Sequence, residues 1–542
     1  MKINNTLLII MLVAASVSCI ASSQQSVKLE AENINKNTEL PRSTPAQEKV
    51  SPNDVEKFFD ALMAVPQTDI HHVMVVRHGK VIAEAHPAPF KKDDVHTLYS
   101  CSKTFTMLAI GMLVDEGKLT VNDKVIDLLP DKAPKVKSPA LKKMTVKHLL
   151  TMTAGIKPAL ELRQEGDDWA RIWLAQPVTR LGRFQYDSLC TFMLAAIVQR
   201  ITGKTLLEFL NERFFHPLGI YDADWEESPD GTNVGGWGLR LTAESMAKAG
   251  ICIMNKGKWE GKQLVSAKWI DEASSKHTNY SNPGKRQTDT NQGYCYQMWR
   301  CLQPDAFRAD GAYGQFIVMS PKYDLVVVIT GVSHNTGKEL ACIWNHLIAG
   351  MKDAPILGQE EKQKSLDEKL ACLSLPLLKG EKGSGEYTFT LGPNARNYKT
   401  MQLKFDGDMC AMTLTHSNGE VEKYPFMHNG WARQATTHVP PYNNAVEPVN
   451  LKKIDGLYGD YTTAGNYAWT SNMTLTLRLY WTNWIVPNSF TIKMNKDLTA
   501  TITNDEGYPG CKPEVINATY VISDICSGDP TPISAPKIPN ER

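Results

Sequence analysis

At 542 residues the chain is too long for one hydrophobic core, so two domains plus terminal segments are expected. Its 42% hydrophobic and 22% charged residues are ordinary for a globular protein. A formal net charge of +1 gives no attraction to a polyanion, so no nucleic-acid partner is expected.

The N-terminus stands apart. Lys2 precedes an apolar run over 7–17 that ends in small residues before Cys19, the pattern of an export signal over 1–19. Cys19 after small residues resembles a bacterial lipobox, with Ser16 where an aliphatic residue is usual. That resemblance implies lipidation at Cys19, a membrane partner through the anchor, and a periplasmic or cell-envelope location. The run is too short to span a bilayer, and no later stretch is long and apolar enough. The ten cysteines after Cys19 lack paired zinc-ligand spacing, and many sit in apolar surroundings as small hydrophobes. Cys295 with Cys301, and Cys511 with Cys526, are the pairs an oxidising compartment could join; the sequence assigns neither.

Residues 20–50 are polar and lack hydrophobic periodicity, which reads as a flexible linker. From Ser51 the pattern turns globular. A short helix over 55–65 is followed by two apolar strands around His78-Gly79-Lys80, a hairpin. Next comes Leu98-Tyr99-Ser100-Cys101-Ser102-Lys103, leading into a helix whose apolar residues recur at Phe105, Leu108, Ala109, Met112 and Leu113. Gly117 ends that helix. Ser100 sits at its start, and Lys103, three residues on, shares its face. A serine hydroxyl becomes a nucleophile when a neighbouring base takes its proton. Burial and the positive end of the helix dipole both push a lysine toward its neutral, basic form. The Ser100 N–H can also face a developing oxyanion.

Tyr186 lies in a loop just ahead of a helix over 189–202, where a side chain can be presented to a cleft. Helices over 206–215 and 242–254 flank a glycine-rich corner, Gly235-Gly236-Trp237-Gly238. Strands over 316–319 and 325–330, then a helix over 338–351, close the unit. One sheet built from both ends of 51–352, with a helical insert covering a cleft, is the expected architecture. Residues 353–384 read as a linker carrying one helix. Short strands over 386–391, 400–405, 410–416, 420–426, 473–479, 489–494 and 499–503 then make an all-β domain over 385–525, barrel or sandwich, ahead of a tail over 526–542. Tyr480, Trp481 and Trp484 read as packing residues of that domain.

Three elements thus stand in order: Ser100-x-x-Lys103, Tyr186-x-Ser188, and Ala309-Asp310-Gly311 leading into a strand. With His148-Leu149-Leu150-Thr151-Met152-Thr153-Ala154-Gly155 before the second and Gly235-Gly236-Trp237-Gly238-Leu239 after it, the chain resembles the serine β-lactamase and penicillin-binding-protein superfamily, in its class C-like branch. The resemblance implies an α+β fold, an antiparallel sheet flanked by helices with a helical subdomain. It implies that Ser100 attacks a carbonyl while Lys103 and a phenolate-like Tyr186 oxygen share the proton work, and that the N–H groups of Ser100 and Ala312 form an oxyanion hole. Ser188, Asp310, Gly311 and Trp237 are then substrate contacts, with no metal or organic cofactor. Two departures from the family pattern matter. Ser188 replaces an asparagine, and Ala309-Asp310-Gly311 replaces Lys-Thr-Gly, whose cation binds substrate carboxylates. Asp310 either meets a substrate amine or ties down a loop. The expectation is a serine hydrolase for a small-molecule or peptide ester or amide, poor against β-lactams. The alternatives are a D-amino-acid peptidase acting on cell-wall peptides and a penicillin-binding sensor that does not turn over.

Overall fold

Nearly continuous apolar runs at both ends of the first domain give strands that are buried on both faces. A computed structural model describes residues 38–279, 288–438, 440, 461–507 and 512–523. The export signal, Cys19, Cys511, Cys526 and the C-terminal tail lie outside the described residues. In chain order the elements that build the site are α1 (Pro52–Met63), β1 (Thr68–Arg77), β2 (Lys80–Ala85), α2 (Ser102–Asp115), α3 (Ser188–Thr202) and α4 (Ala243–Met254). They continue with β3 (Trp299–Arg300), β4 (Phe307–Gly311), β5 (Gln315–Ser320), β6 (Leu325–Ser333), α5 (Thr336–Cys342) and α6 (Glu360–Ala371).

The sheet runs β2-β1-β6-β5-β4-β3, antiparallel throughout, so the first and last parts of the domain meet at the β1–β6 pair. The β1–β2 turn is His78-Gly79 with both residues at positive φ, the two-residue form whose twist matches the strands. Period-two side chains divide the core. Val73, Val75, Phe316, Val318, Val327 and Ile329 face α1 and α5. Met74, Val76, Ile317, Met319, Val326 and Val328 face the helical layer that holds α2, α3 and α4. On α1, Val55, Phe58, Phe59 and Leu62 are buried, each stabilising the layer by about 1.5–3 kcal/mol.

The central helix differs from its expected form. Every residue from Ser102 to Leu113 is buried, because the sheet covers one side and the helical insert the other. It ends as expected: Gly117 at positive φ gives its N–H to the Val114 carbonyl, and the Lys118 N–H reaches Leu113. Residues 38–50 correct the linker expectation, since Leu40, Ala46 and Val50 are buried and Arg42 forms a bridge beside Val81. The 353–384 segment is likewise packed, with Leu366 and Leu370 of α6 in the core under α1.

The second domain has β7 (Glu386–Leu391), β8 (Tyr398–Asp406), β9 (Met409–His416), β10 (Val421–His428), β11 (Ala432–Thr436), β12 (Tyr461–Ser471), β13 (Thr474–Trp481), β14 (Pro487–Met494), β15 (Thr499–Asp505) and β16 (Glu514–Ser523). The order β10-β9-β8-β7-β16-β15-β14-β13-β12-β11 closes through a parallel β10–β12 pairing, Met427 with Asn466 and His428 with Tyr467. It is a barrel. Closure removes free edges. The sequence pattern had missed β11, β12 and β16, which are short, interrupted by glycine, or dominated by polar outward residues. The barrel is fastened to the first domain. Arg433 pairs with Asp94 at 2.7 Å, the Tyr480 hydroxyl donates to Asp69 at 3.3 Å, and the Thr97 N–H donates to the Asn483 carbonyl at 3.0 Å. Among the described residues no helix is long and apolar enough to cross a membrane.

Candidate active site

A 3-10 turn, Tyr99–Cys101, leads into α2 and carries Ser100 at its middle. One turn on, Lys103 points back across the same face. Its Nζ lies 2.9 Å from Ser100 Oγ, 3.0 Å from Ser188 Oγ and 2.6 Å from the Gly236 carbonyl oxygen. The Gly236 oxygen can only accept, and Ser188 Oγ can accept a second N–H. A neutral amine so placed turns its lone pair toward the Ser100 hydroxyl.

Burial favours that neutral form. Lys103 is 1% exposed, and loss of solvent pushes its amine down from 10.5 to about 7, with the Asp187 carboxylate partly opposing the drop. Asp187 is itself buried and is the N-cap of α3, accepting from the Leu189 N–H at 2.9 Å and from Trp173 Nε1 at 3.0 Å. Burial raises its carboxyl above the ordinary value, while those donors favour the charged form.

Tyr186 stands in the loop ahead of α3 with its hydroxyl hydrogen-bonded to Ser100. Its ring stacks on Trp299 at 5.7 Å, and Lys103 Nζ lies 5.0 Å from the ring centre. Burial pushes the phenol well above its ordinary value, so the oxygen is a neutral hydroxyl at physiological pH. That direction favours a neutral hydroxyl at Tyr186 over the phenolate-like oxygen that the resemblance implies. Lys103 is the group whose base form is populated near neutrality.

Ala312 lies exposed at the turn between β4 and β5, directly after Gly311. Its carbonyl accepts from Gln315 Nε2 at 2.9 Å, and the same amide bridges to the Gly331 carbonyl at 2.8 Å, which fixes the turn. Gly311 lets β4 close on the serine turn, since a Cβ there would lie 2.3 Å from the Leu98 carbonyl oxygen. Gly236 is required for a similar reason: a Cβ would meet the Ser188 carbonyl oxygen at 2.6 Å.

Of the two roles left open for Asp310, the fold supplies the partner for the second. Its Oδ2 accepts from Arg308 Nε at 2.8 Å and lies 2.7 Å from Nη2, and the Arg308 side chain is fully buried. The carboxylate is thus one half of an ion pair rather than a lone anion. The Trp237 ring is not at Lys103. It stacks at 6.3 Å on Trp169 beneath the Arg163 guanidinium, and the glycine corner reaches the site through the Gly236 carbonyl instead. Asp187, Gly236 and Gln315 are the contributors that sequence reasoning missed. Asp187 left a signal as an N-cap residue between Tyr186 and Ser188, and Gly236 left one as part of the glycine-rich corner. Cys295 and Cys301 are buried free thiols. Among the described residues no group of His, Cys, Asp and Glu side chains is arranged to hold a metal ion.

A family model described as Beta-lactamase matches residues 55–349, more than half of the chain, and spans this whole constellation. The chain belongs to the beta-lactamase family. Its relatives in that family include hydrolases. It is 27% identical over 288 residues to the 6-aminohexanoate-dimer hydrolase of Paenarthrobacter ureafaciens, covering 47% of this chain and 70% of that one. It is 27% identical over 177 residues to esterase EstB of Burkholderia gladioli, covering 28% of this chain and 45% of that one. A solved structure described as a putative 6-aminohexanoate-dimer hydrolase from Bacillus anthracis aligns with 18% identity and a TM-score of 0.46, over 58% of this chain and 88% of that one. The family match ends before the barrel begins.

Proposed function

We propose that the protein is a serine hydrolase of the class C-like branch that cleaves a carboxylic ester or amide through an acyl-enzyme on Ser100. The observation that carries this reading is the buried Lys103 amine, pushed down to about 7 and 2.9 Å from Ser100 Oγ. Ser100 Oγ attacks the substrate carbonyl as its proton passes to Lys103 Nζ, and the new oxyanion meets the Ser100 and Ala312 N–H groups. The Tyr186 hydroxyl passes a proton to the leaving alcohol or amine as the old bond breaks and takes up the proton that Lys103 holds, so both groups return to their starting forms. Water then attacks the ester on Ser100 with Lys103, neutral again, taking its proton and returning it to Ser100 Oγ as the acid leaves. The names of the relatives support ester and amide bonds as the substrate class. The Arg308–Asp310 pair occupies the place where penicillin-binding relatives carry a free cation, which supports weak binding of an anionic β-lactam.

The test is intact mass after mixing the protein with p-nitrophenyl acetate or a fluorescent penicillin, beside Ser100→Ala. A transient acetyl adduct with steady nitrophenol release, absent from S100A, is expected; unchanged hydrolysis in S100A refutes the reading. Export and lipid anchoring at Cys19 belong to the same proposal and rest on the signal pattern over 1–19. Membrane-bound protein that is released by Cys19→Ala is the expected result, and equal release of both forms refutes it.

A further inference from the structure

The residues on either side of the proposed oxyanion-hole donors are unusual in the same way. Tyr99, immediately before Ser100, has φ +45°, and Tyr313, immediately after Ala312, has φ +63°. Bulky side chains seldom occupy the left-handed region, and they stay there only where surrounding packing holds them. The packing here comes from two directions. The Tyr99 and Tyr313 rings meet edge to face at 6.0 Å, and Tyr99 also meets Trp484 at 6.2 Å. Trp484 is a barrel residue, 3% exposed, in the turn after β13. Both tyrosines, with Val332, pack onto the barrel's own hydrophobic core rather than onto that of the first domain.

The same turn is tied on both sides. The Asn483 carbonyl accepts from the Thr97 N–H at 3.0 Å, two residues ahead of Tyr99. The Asn483 side-chain oxygen accepts from the Thr462 N–H at 3.3 Å, and the Trp484 N–H donates to Trp481 at 2.9 Å. On the other side the Tyr313 carbonyl accepts from the Ser333 N–H at 2.9 Å. The barrel therefore bears on the backbone that aims both donors.

We propose that Trp484 is a positioning residue for acyl transfer: through Tyr99 and Tyr313 the barrel holds the Ser100 and Ala312 N–H groups in their working orientation. The barrel is then part of the active site's second wall. This inference rests on the Ser100 acyl-enzyme reading. A donor turned away from the developing oxyanion weakens only the transition state, so the loss falls on kcat and spares KM.

The test uses the full chain and p-nitrophenyl acetate, with wild type, Trp484→Phe, Trp484→Ala, Tyr99→Leu and the double variant Trp484→Ala/Tyr99→Leu. Expected is a fall in kcat of about tenfold to a hundredfold in W484A and Y99L, with KM within twofold. W484F, which keeps a ring, is expected within about threefold of wild type, and the double variant to lose little more than either single one. The pH inflection set by Lys103 is expected to stay in place in every variant. A kcat within twofold of wild type in W484A overturns the proposal, as do additive losses in the double variant. Should W484A fail to fold, Y99L decides, because it leaves the barrel intact: full kcat there overturns the proposal. An unreactive wild-type chain overturns the acyl-enzyme reading and this inference together. Reactive wild type with unaltered variants overturns this one alone.

Discussion

The strongest lever on the site is the charge balance around Lys103, and Asp187→Asn perturbs it with least change of shape. An ordinary lysine at pH 7 has about one neutral amine in three thousand. With its value pushed down to about 7, Lys103 is neutral in about half of the molecules, a preference for the neutral form of about 5 kcal/mol relative to solution. Desolvation supplies that preference and the Asp187 carboxylate works against it. Log kcat/KM for p-nitrophenyl acetate should therefore rise with unit slope up to about pH 7 and level off above it. In D187N the opposing charge is gone, so the inflection should move to lower pH and the rate at pH 6 should rise relative to the variant's own plateau. Asparagine remains a good N-cap but can satisfy only one of the two donors, Leu189 N–H and Trp173 Nε1, with its single oxygen. A stability loss of about 1–3 kcal/mol should accompany the shift and be read separately by thermal melting. A wild-type limb still rising toward pH 10, or an inflection in D187N that stays fixed or moves upward, refutes the account.

Gly236→Ala would place a Cβ 2.6 Å from the Ser188 carbonyl oxygen, forcing the corner that carries the Lys103 acceptor to move. A fall in kcat of about tenfold or more is expected, and activity within twofold of wild type would refute the packing argument. Glu339 is fully buried behind the β4–β5 turn, and burial raises its carboxyl from 4.5 to about 8. A group whose value rises on folding lends stability below its unfolded value, and that contribution drains away as pH climbs from 4.5 to 8. Glu339→Gln removes the effect, so its Tm relative to wild type should improve between pH 5 and pH 8.5; a constant difference refutes the assignment.

The sequence by itself determined a good deal. Ser100 and Lys103 lie three residues apart on one helix, and helical periodicity alone puts them on one face. Tyr186 ahead of α3, the His78-Gly79 hairpin and the strand runs of the barrel were legible for the same reason, because each is decided by neighbours in the chain. Motif order was enough for the family. Other features depend on distant contacts and left no local trace. The packing of 38–50 on the sheet looked like a polar tether because its few apolar residues, Leu40, Ala46 and Val50, have no period. The partner of Asp310 is two residues away on the same strand face, yet only the burial of Arg308 makes the pair obligatory. The neutral phenol of Tyr186 and the low value of Lys103 follow from desolvation, which is a property of the assembled layers and not of any motif. Tyr99 and Tyr313 are 214 residues apart along the chain, and Trp484 lies further on still. Composition and periodicity set which segments fold, and the closing of the barrel against the serine turn decided what surrounds the nucleophile.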